Sequence, residues 1–148
     1  MFIKQISVFL ENHPGALREM TELLGKGGID LLALSVADTQ NFGIIRIITS
    51  NEQIDQGLLL LRDHGYIAKV NHVICAEVPD RPLGLCELLT LIEKARLSVE
   101  YMYSFMRASS EGTAALILRL SDGEKASKLF EMHNVRMLSQ EEVDYDPE

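Results

Sequence analysis

Two short runs hold the residue types that could do chemistry: Asn12-His13-Pro14-Gly15-Ala16-Leu17 and Asp80-Arg81-Pro82-Leu83-Gly84-Leu85. Each follows an apolar, strand-like run and precedes apolar residues at helical spacing, so each sets the start of a helix beside the end of a strand. The first amides of a helix have no intrahelical acceptor, and the local dipole favours negative charge, so such a turn can bind a small anion such as a carboxylate. Proline in a first helical turn gives up an amide that would be spare, and Gly15 removes the side chain that would hold a ligand off the backbone. The second run departs here, with Leu83 at that position and Gly84 one later. Asn12 and Asp80 can cap the helix or meet a ligand's ammonium group. Arg81 can fork onto a carboxylate or simply be solvated, and His13 faces the same choice.

A repeated frame must position these turns. Residues 2–10 alternate, with Phe2, Lys4, Ile6, Val8 and Leu10 on one parity, which predicts a strand. Leu17, Met20, Leu23 and Leu24 share one helical face, and the Gly25-Lys26-Gly27-Gly28 run ends that helix. A strand over 29–37, a turn at Asp38-Thr39-Gln40-Asn41 and a strand over 43–49 follow, the last rich enough in isoleucine to be central in a sheet. Ser50 and Gln53 have capping-box spacing at the head of a helix that carries Ile54, Leu58 and Leu61 inward to about residue 63. A fourth strand begins over 66–70.

The same order then recurs. Pro14 matches Pro82 and Leu17 matches Leu85, an offset of 68 residues. A strand over 73–78 leads to a helix marked by Leu85, Leu88, Leu89 and Ile92. Strands over 97–105 and 113–120 meet near Ser109-Ser110-Glu111-Gly112, the run from Ser121 to Glu124 repeats the capping box, Ala126, Leu129 and Phe130 face inward, and 135–138 closes the unit. Residues 1–71 and 72–148 are the two repeats, the second ending in an acidic tail. No linker separates them, so 67–78 is either one long strand or two strands meeting at a bend near Asn71. The predicted fold class is α+β: two ferredoxin-like βαββαβ units packed side by side, with antiparallel sheets and helices on one face.

Composition narrows the function classes. A chain of 148 residues, 47% hydrophobic and 24% charged, has the length and make-up of a soluble globular protein. With no charged-then-apolar leader and no apolar run near 18 residues, the expected location is cytoplasmic and away from membranes. Net charge is -8, and Glu141, Glu142, Asp144, Asp146 and Glu148 crowd the tail, which is expected to fray or else to cover an edge strand and keep it from pairing. An acidic balance argues against nucleic acid, and the central strands, Phe9 near one end excepted, lack the aromatics that an RNA-recognition module stacks on bases. Cys75 and Cys86 lack C-x-x-C spacing and sit among apolar residues, which predicts buried free thiols. With His13 and His72 they match no metal spacing, so neither metal nor cofactor is expected. Glu11, Glu19, Glu22, Glu87 and Glu93 are spaced as solvated helix faces, and no catalytic motif appears, so the chain is not read as an enzyme.

The first run closely resembles the acid-or-amide, x, Pro-Gly-x-Leu signature of ACT domains, and the second resembles a variant of it. The resemblance extends to about Val143 and implies a stand-alone tandem ACT protein. In that family paired domains commonly bind a free amino acid at the seam, between this turn of one domain and the second strand of the other, and the ligand usually regulates an enzyme. Carried onto this chain, the resemblance implies a site of Asn12, His13, Pro14, Gly15, Ala16 and Leu17, with Asp80, Arg81, Leu83, Gly84 and Leu85 in the second copy. It adds Leu32, Leu34 and Ser35 from one second strand and Met102 and Tyr103 from the other, where edge-strand backbone would hold the amino acid as a short strand would. The implied partners are a free amino acid and a regulated enzyme, with a homodimer as a further option. The alternative is a regulatory subunit that docks on an enzyme without any ligand, for which Tyr101, Tyr103 and Phe105 would suit an interface.

Overall fold

Alternation at the head of the chain becomes β1 (Ile3–Glu11), whose Ile6, Val8 and Leu10 are buried in one core. In the computed structural model, which describes residues 1–11, 13–38, 42–105 and 111–144, the chain divides into two compact units. One spans Lys4–His72, and the other runs from Val73 onward and includes Met1–Ile3.

In the first unit, α1 (Ala16–Lys26) and α2 (Asn51–Asp63) cover a sheet in the order β2 (Ala33–Asp38), β3 (Phe42–Ile48), β1, β4 (Ile67–Pro79). β3 is an inner strand, as its isoleucines predict, and pairs antiparallel with β1 through Ile6 opposite Ile47 and Val8 opposite Ile45. Met20, Leu24, Ile54 and Leu61 are buried against them, and each such side chain contributes roughly 1.5–3 kcal/mol. β2 starts at Ala33 rather than 29, because the chain is still closing α1: Gly28 has φ 78 and the Ile29 amide donates to the Leu24 carbonyl at 3.0 Å. The capping box expected at Ser50 does not form. Gln53 donates instead to the Gly28 carbonyl at 2.8 Å and accepts from the Asp30 amide at 2.9 Å, so it ties α2 to the preceding loop.

The second unit repeats the plan with the latter part of β4, α3 (Gly84–Lys94), β5 (Val99–Ser104), β6 (Thr113–Leu120) and α4 (Gly123–Met132). Its strands lie in the order β4, β6, β5. Leu88, Ile92, Leu118, Ala126 and Phe130 form the core, and Phe2 packs on it. α4 is capped by Asp122, which accepts from the Lys125 amide at 3.1 Å, and not by Ser121, whose Oγ accepts from the Ser98 amide at 3.0 Å. The expected final strand is reduced to one antiparallel bridge, Ala76 opposite Met137. Of the two readings of the junction, the long strand holds: β4 is continuous over 13 residues.

Two expectations are corrected. Residues 140–144 do not fray but form α5 (Gln140–Asp144), because Ser139 Oγ accepts from the Glu142 amide at 3.2 Å, Val143 is 1% exposed and Arg136 pairs with both Glu77 and Glu142. Only Cys75 is a buried thiol, pushed up to about 12 by burial and then by the Glu77 and Glu142 charges, whereas Cys86 lies exposed on α3. The turns expected at 39–41 and 109–110 lie outside the described residues, as do 145–148. Among the described residues no helix is long and apolar enough to cross a membrane.

Candidate functional site

The two turns have the same backbone. Gly15, the N-cap of α1, has φ 84 and ψ -8, and Leu83, the N-cap of α3, has φ 70 and ψ -5. The Ala16 amide donates to the His13 carbonyl at 3.2 Å and the Gly84 amide to that of Arg81 at 3.0 Å. The Glu19 and Glu87 amides donate to the N-cap carbonyls, each at 2.9 Å. What remains is a matched set of amides, Gly15, Leu17 and Arg18 in one unit and Leu83, Leu85 and Cys86 in the other, without a backbone acceptor among the described residues. Neither N-cap makes a side-chain hydrogen bond, so Asp80 does not cap α3; its amide donates to the Gly112 carbonyl at 2.9 Å. Pro14 and Pro82 stand one residue before the N-cap rather than inside the first helical turn, where their fixed φ shapes the approach.

The glycines of the two turns serve different ends. A Cβ at Gly15 would meet nothing within 4 Å, so this glycine supplies the left-handed conformation alone. A Cβ at Gly84 would stand 2.1 Å from the Pro79 carbonyl oxygen, so that glycine lets the helix start against β4. Leu83 therefore carries the left-handed conformation without glycine, at a cost of about 1–2 kcal/mol. At 69% exposed, its side chain gains little in return. Leu83→Gly is expected to raise the melting temperature by up to about 3 °C, because relief of strain outweighs the ~0.4–1 kcal/mol that glycine adds to unfolded-chain entropy. A lowered melting temperature would show that the leucine side chain supports the turn.

The remaining expected residues are placed as follows. Arg81 reaches back along α3 and donates to both carboxylate oxygens of Glu87, at 2.9 and 3.0 Å. His13 is exposed, with Nδ1 3.1 Å from the Pro14 carbonyl oxygen. Asn12 lies outside the described residues. Leu17 and Leu34 pack on the first core, and Leu85 and Met102 on the second. Leu32 is buried, and its amide donates to the Ile48 carbonyl at 2.8 Å. Ser35, opposite Arg46, and Tyr103, opposite Ile117, are half-buried. β2 and β5 each pair on one side only, which leaves edge backbone groups.

Within the first unit, a cavity of about 260 Å³ opens beside the turn. Phe9, Phe42, Tyr66 and Ile67 supply apolar walls, and Glu11, His13 and Glu19 supply polar groups. A neighbouring depression of about 350 Å³ shares Glu19 and Tyr66 and adds Glu22, Lys26 and His64. Lys26 and then Arg18 hold the Glu22 carboxyl below its usual range by hydrogen bond and charge, at 3.0 and 2.7 Å. Of the expected site residues, this cavity brings together His13 and Ala16. Phe9, Phe42 and Tyr66 are not among the residues the sequence suggests, and Glu11 and Glu19 read there as solvated faces. The one sequence signal for them was an aromatic at each of three strand ends.

The sequence matches the ACT domain pair over residues 1–145. Among solved structures, protein BT0572 of Bacteroides thetaiotaomicron is similar at 32% identity and a TM-score of 0.87, over 99% of this chain and 98% of that one. The ligand-free regulatory subunit of aspartate kinase from Thermus thermophilus is similar in fold at 14% identity and a TM-score of 0.62, over 87% of this chain and 91% of that one. Its counterpart from Thermus flavus is similar at 11% identity and the same TM-score of 0.62, over 87% and 90%. No curated protein matches. A turn used twice with one backbone, in units of one strand and helix order, accords with a match that spans nearly the whole sequence: the chain belongs to the ACT domain pair family.

Proposed function

We propose that this protein is a regulatory sensor without catalytic activity of its own, which binds a free amino acid and thereby modulates an enzyme or pathway of amino-acid metabolism. The observation that supports it most is the pair of turns with one backbone, each presenting at a helix start three amides without a backbone acceptor among the described residues, in a chain of the ACT domain pair family. Such amides suit an α-carboxylate. By the family resemblance the ligand lies at the interface of the two repeats, where Leu32, Leu34 and Ser35 or Met102 and Tyr103 supply the facing strand. Asn12 or Asp80 then meets its ammonium group. Arg81 takes part only by leaving Glu87, an exposed pair of the kind that stabilises by less than about 1 kcal/mol. Proteins of similar fold include regulatory subunits of aspartate kinase, and by that analogy the output is regulation of a cytoplasmic enzyme.

The test is a thermal melt of the protein with each of the twenty amino acids at millimolar concentration. A ligand at 100 times its Kd stabilises by about 2.7 kcal/mol, or roughly 5–10 °C for a chain of this size. A shift of that order with one amino acid, or with a few related ones, is the expected result. A flat response to all twenty overturns the sensor and favours a docking subunit that needs no ligand.

A further inference from the structure

Resting on the reading of the chain as an amino-acid sensor, we infer that the cavity beside the first turn selects an amino acid whose side chain is itself cationic. The described residues that line it all belong to the Lys4–His72 unit. Among the described residues, Glu11 and Glu19 bring two carboxylates to it, neither of them in an ion pair, and no lysine or arginine lines it. Glu22, the other carboxylate nearby, is already matched by Lys26 and Arg18. Two unmatched negative charges beside a concave surface call for a cation.

The walls make an independent case for the same ligand. Phe9 and Phe42 are 41% and 52% exposed, which is unusual for phenylalanine, and Tyr66 completes an aromatic lining. Ring faces attract an ammonium or guanidinium group by about 0.5–2 kcal/mol, and they pack the methylene stem of such a side chain as well. An acidic ligand would meet like charge. A neutral one would leave a carboxylate facing its apolar side chain, with water lost and nothing gained.

The chemistry can then be matched group by group. The amides of Gly15, Leu17 and Arg18 belong to the adjoining turn rather than to the cavity lining, and they suit the one carboxylate of a ligand that spans both. Glu11 and Glu19 suit the cationic group of its side chain. Lysine, ornithine and arginine have this composition, and a volume of about 260 Å³ is that of a metabolite rather than of a drug-sized ligand.

The experiment is calorimetric titration of the full chain with lysine, arginine, glutamate and norleucine, which carries an unbranched apolar side chain with no ammonium. Lysine or arginine should bind at least about tenfold more tightly than norleucine, the loss expected when one charge-assisted hydrogen bond is removed. Glu19→Gln should abolish that preference. Because Glu19 is exposed on α1, the variant should melt within about 0.5 kcal/mol of the parent, so the effect is read on folded protein. Glu11→Gln serves as the second variant. Norleucine binding as tightly as lysine, or a lysine Kd unchanged in both variants, would overturn the inference. Binding of a neutral or acidic amino acid with lysine and arginine silent would overturn the cation selection and leave the sensor standing, whereas silence from all twenty overturns both.

Discussion

Gly84→Ala is expected to lower the melting temperature of the second unit by about 10 °C. The added Cβ would stand 2.1 Å from the Pro79 carbonyl oxygen and 3.1 Å from its carbonyl carbon, and neither atom can turn aside as a side chain can. Pro79 ends β4 opposite Thr113, and its carbonyl also accepts from the Arg81 amide at 2.9 Å. Relief therefore requires α3 to slide or the strand end to peel away. Overpacking costs roughly 1–3 kcal/mol, and an obstacle made of backbone belongs at the upper end. At about 3 °C per kcal/mol the drop follows. The sign is diagnostic, since alanine is the better helix former by about 1 kcal/mol. A measured rise would mean that α3 does not begin against Pro79.

Gly15→Val is the complementary case, in which the fold should survive and the ligand should not. With nothing within 4 Å of the new Cβ, the variant bears only the left-handed strain of a φ of 84, roughly 1–2 kcal/mol, and the first unit stays folded. In the proposed site, the open space over Gly15 is also the space through which a ligand would reach the helix-start amides. A branched side chain there should weaken binding by about two orders of magnitude, or about 2.7 kcal/mol. Titration of Gly15→Val with whichever amino acid shifts the parent melt decides the matter. An unchanged Kd on folded protein would remove the first turn as the ligand site.

The second turn bears on the same point. Its sequence departs from the first where glycine matters most, yet its backbone does not, since Leu83 adopts nearly the angles of Gly15. Leu83 is held there by its surroundings: the chain must leave β4 and enter α3 within four residues, and both ends are anchored by buried side chains. Local preference yields to that constraint at a cost of about 1–2 kcal/mol.

The sequence by itself determined the order of elements as far as α4, their duplication, the inward faces of all four long helices and the two turns, but not the loss of the closing strand or the formation of α5. Those features rest on periods of two and 3.6 residues and on the punctuation of glycine and proline, which are local properties of the chain. Tertiary structure decided whatever depended on competition between distant partners. Gln53 bonds to residues 28 and 30 rather than completing a box with Ser50, Arg81 closes on Glu87, and Val143 draws an acidic segment into a helix. The cavity is the clearest case. Phe9, Phe42 and Tyr66 come from parts of the chain far apart, and Phe42 reaches the turn because β1 and β3 pair with Glu11 opposite Phe42. A slip of one residue would send those side chains to the other face of the sheet, and nothing within either strand alone encodes that register.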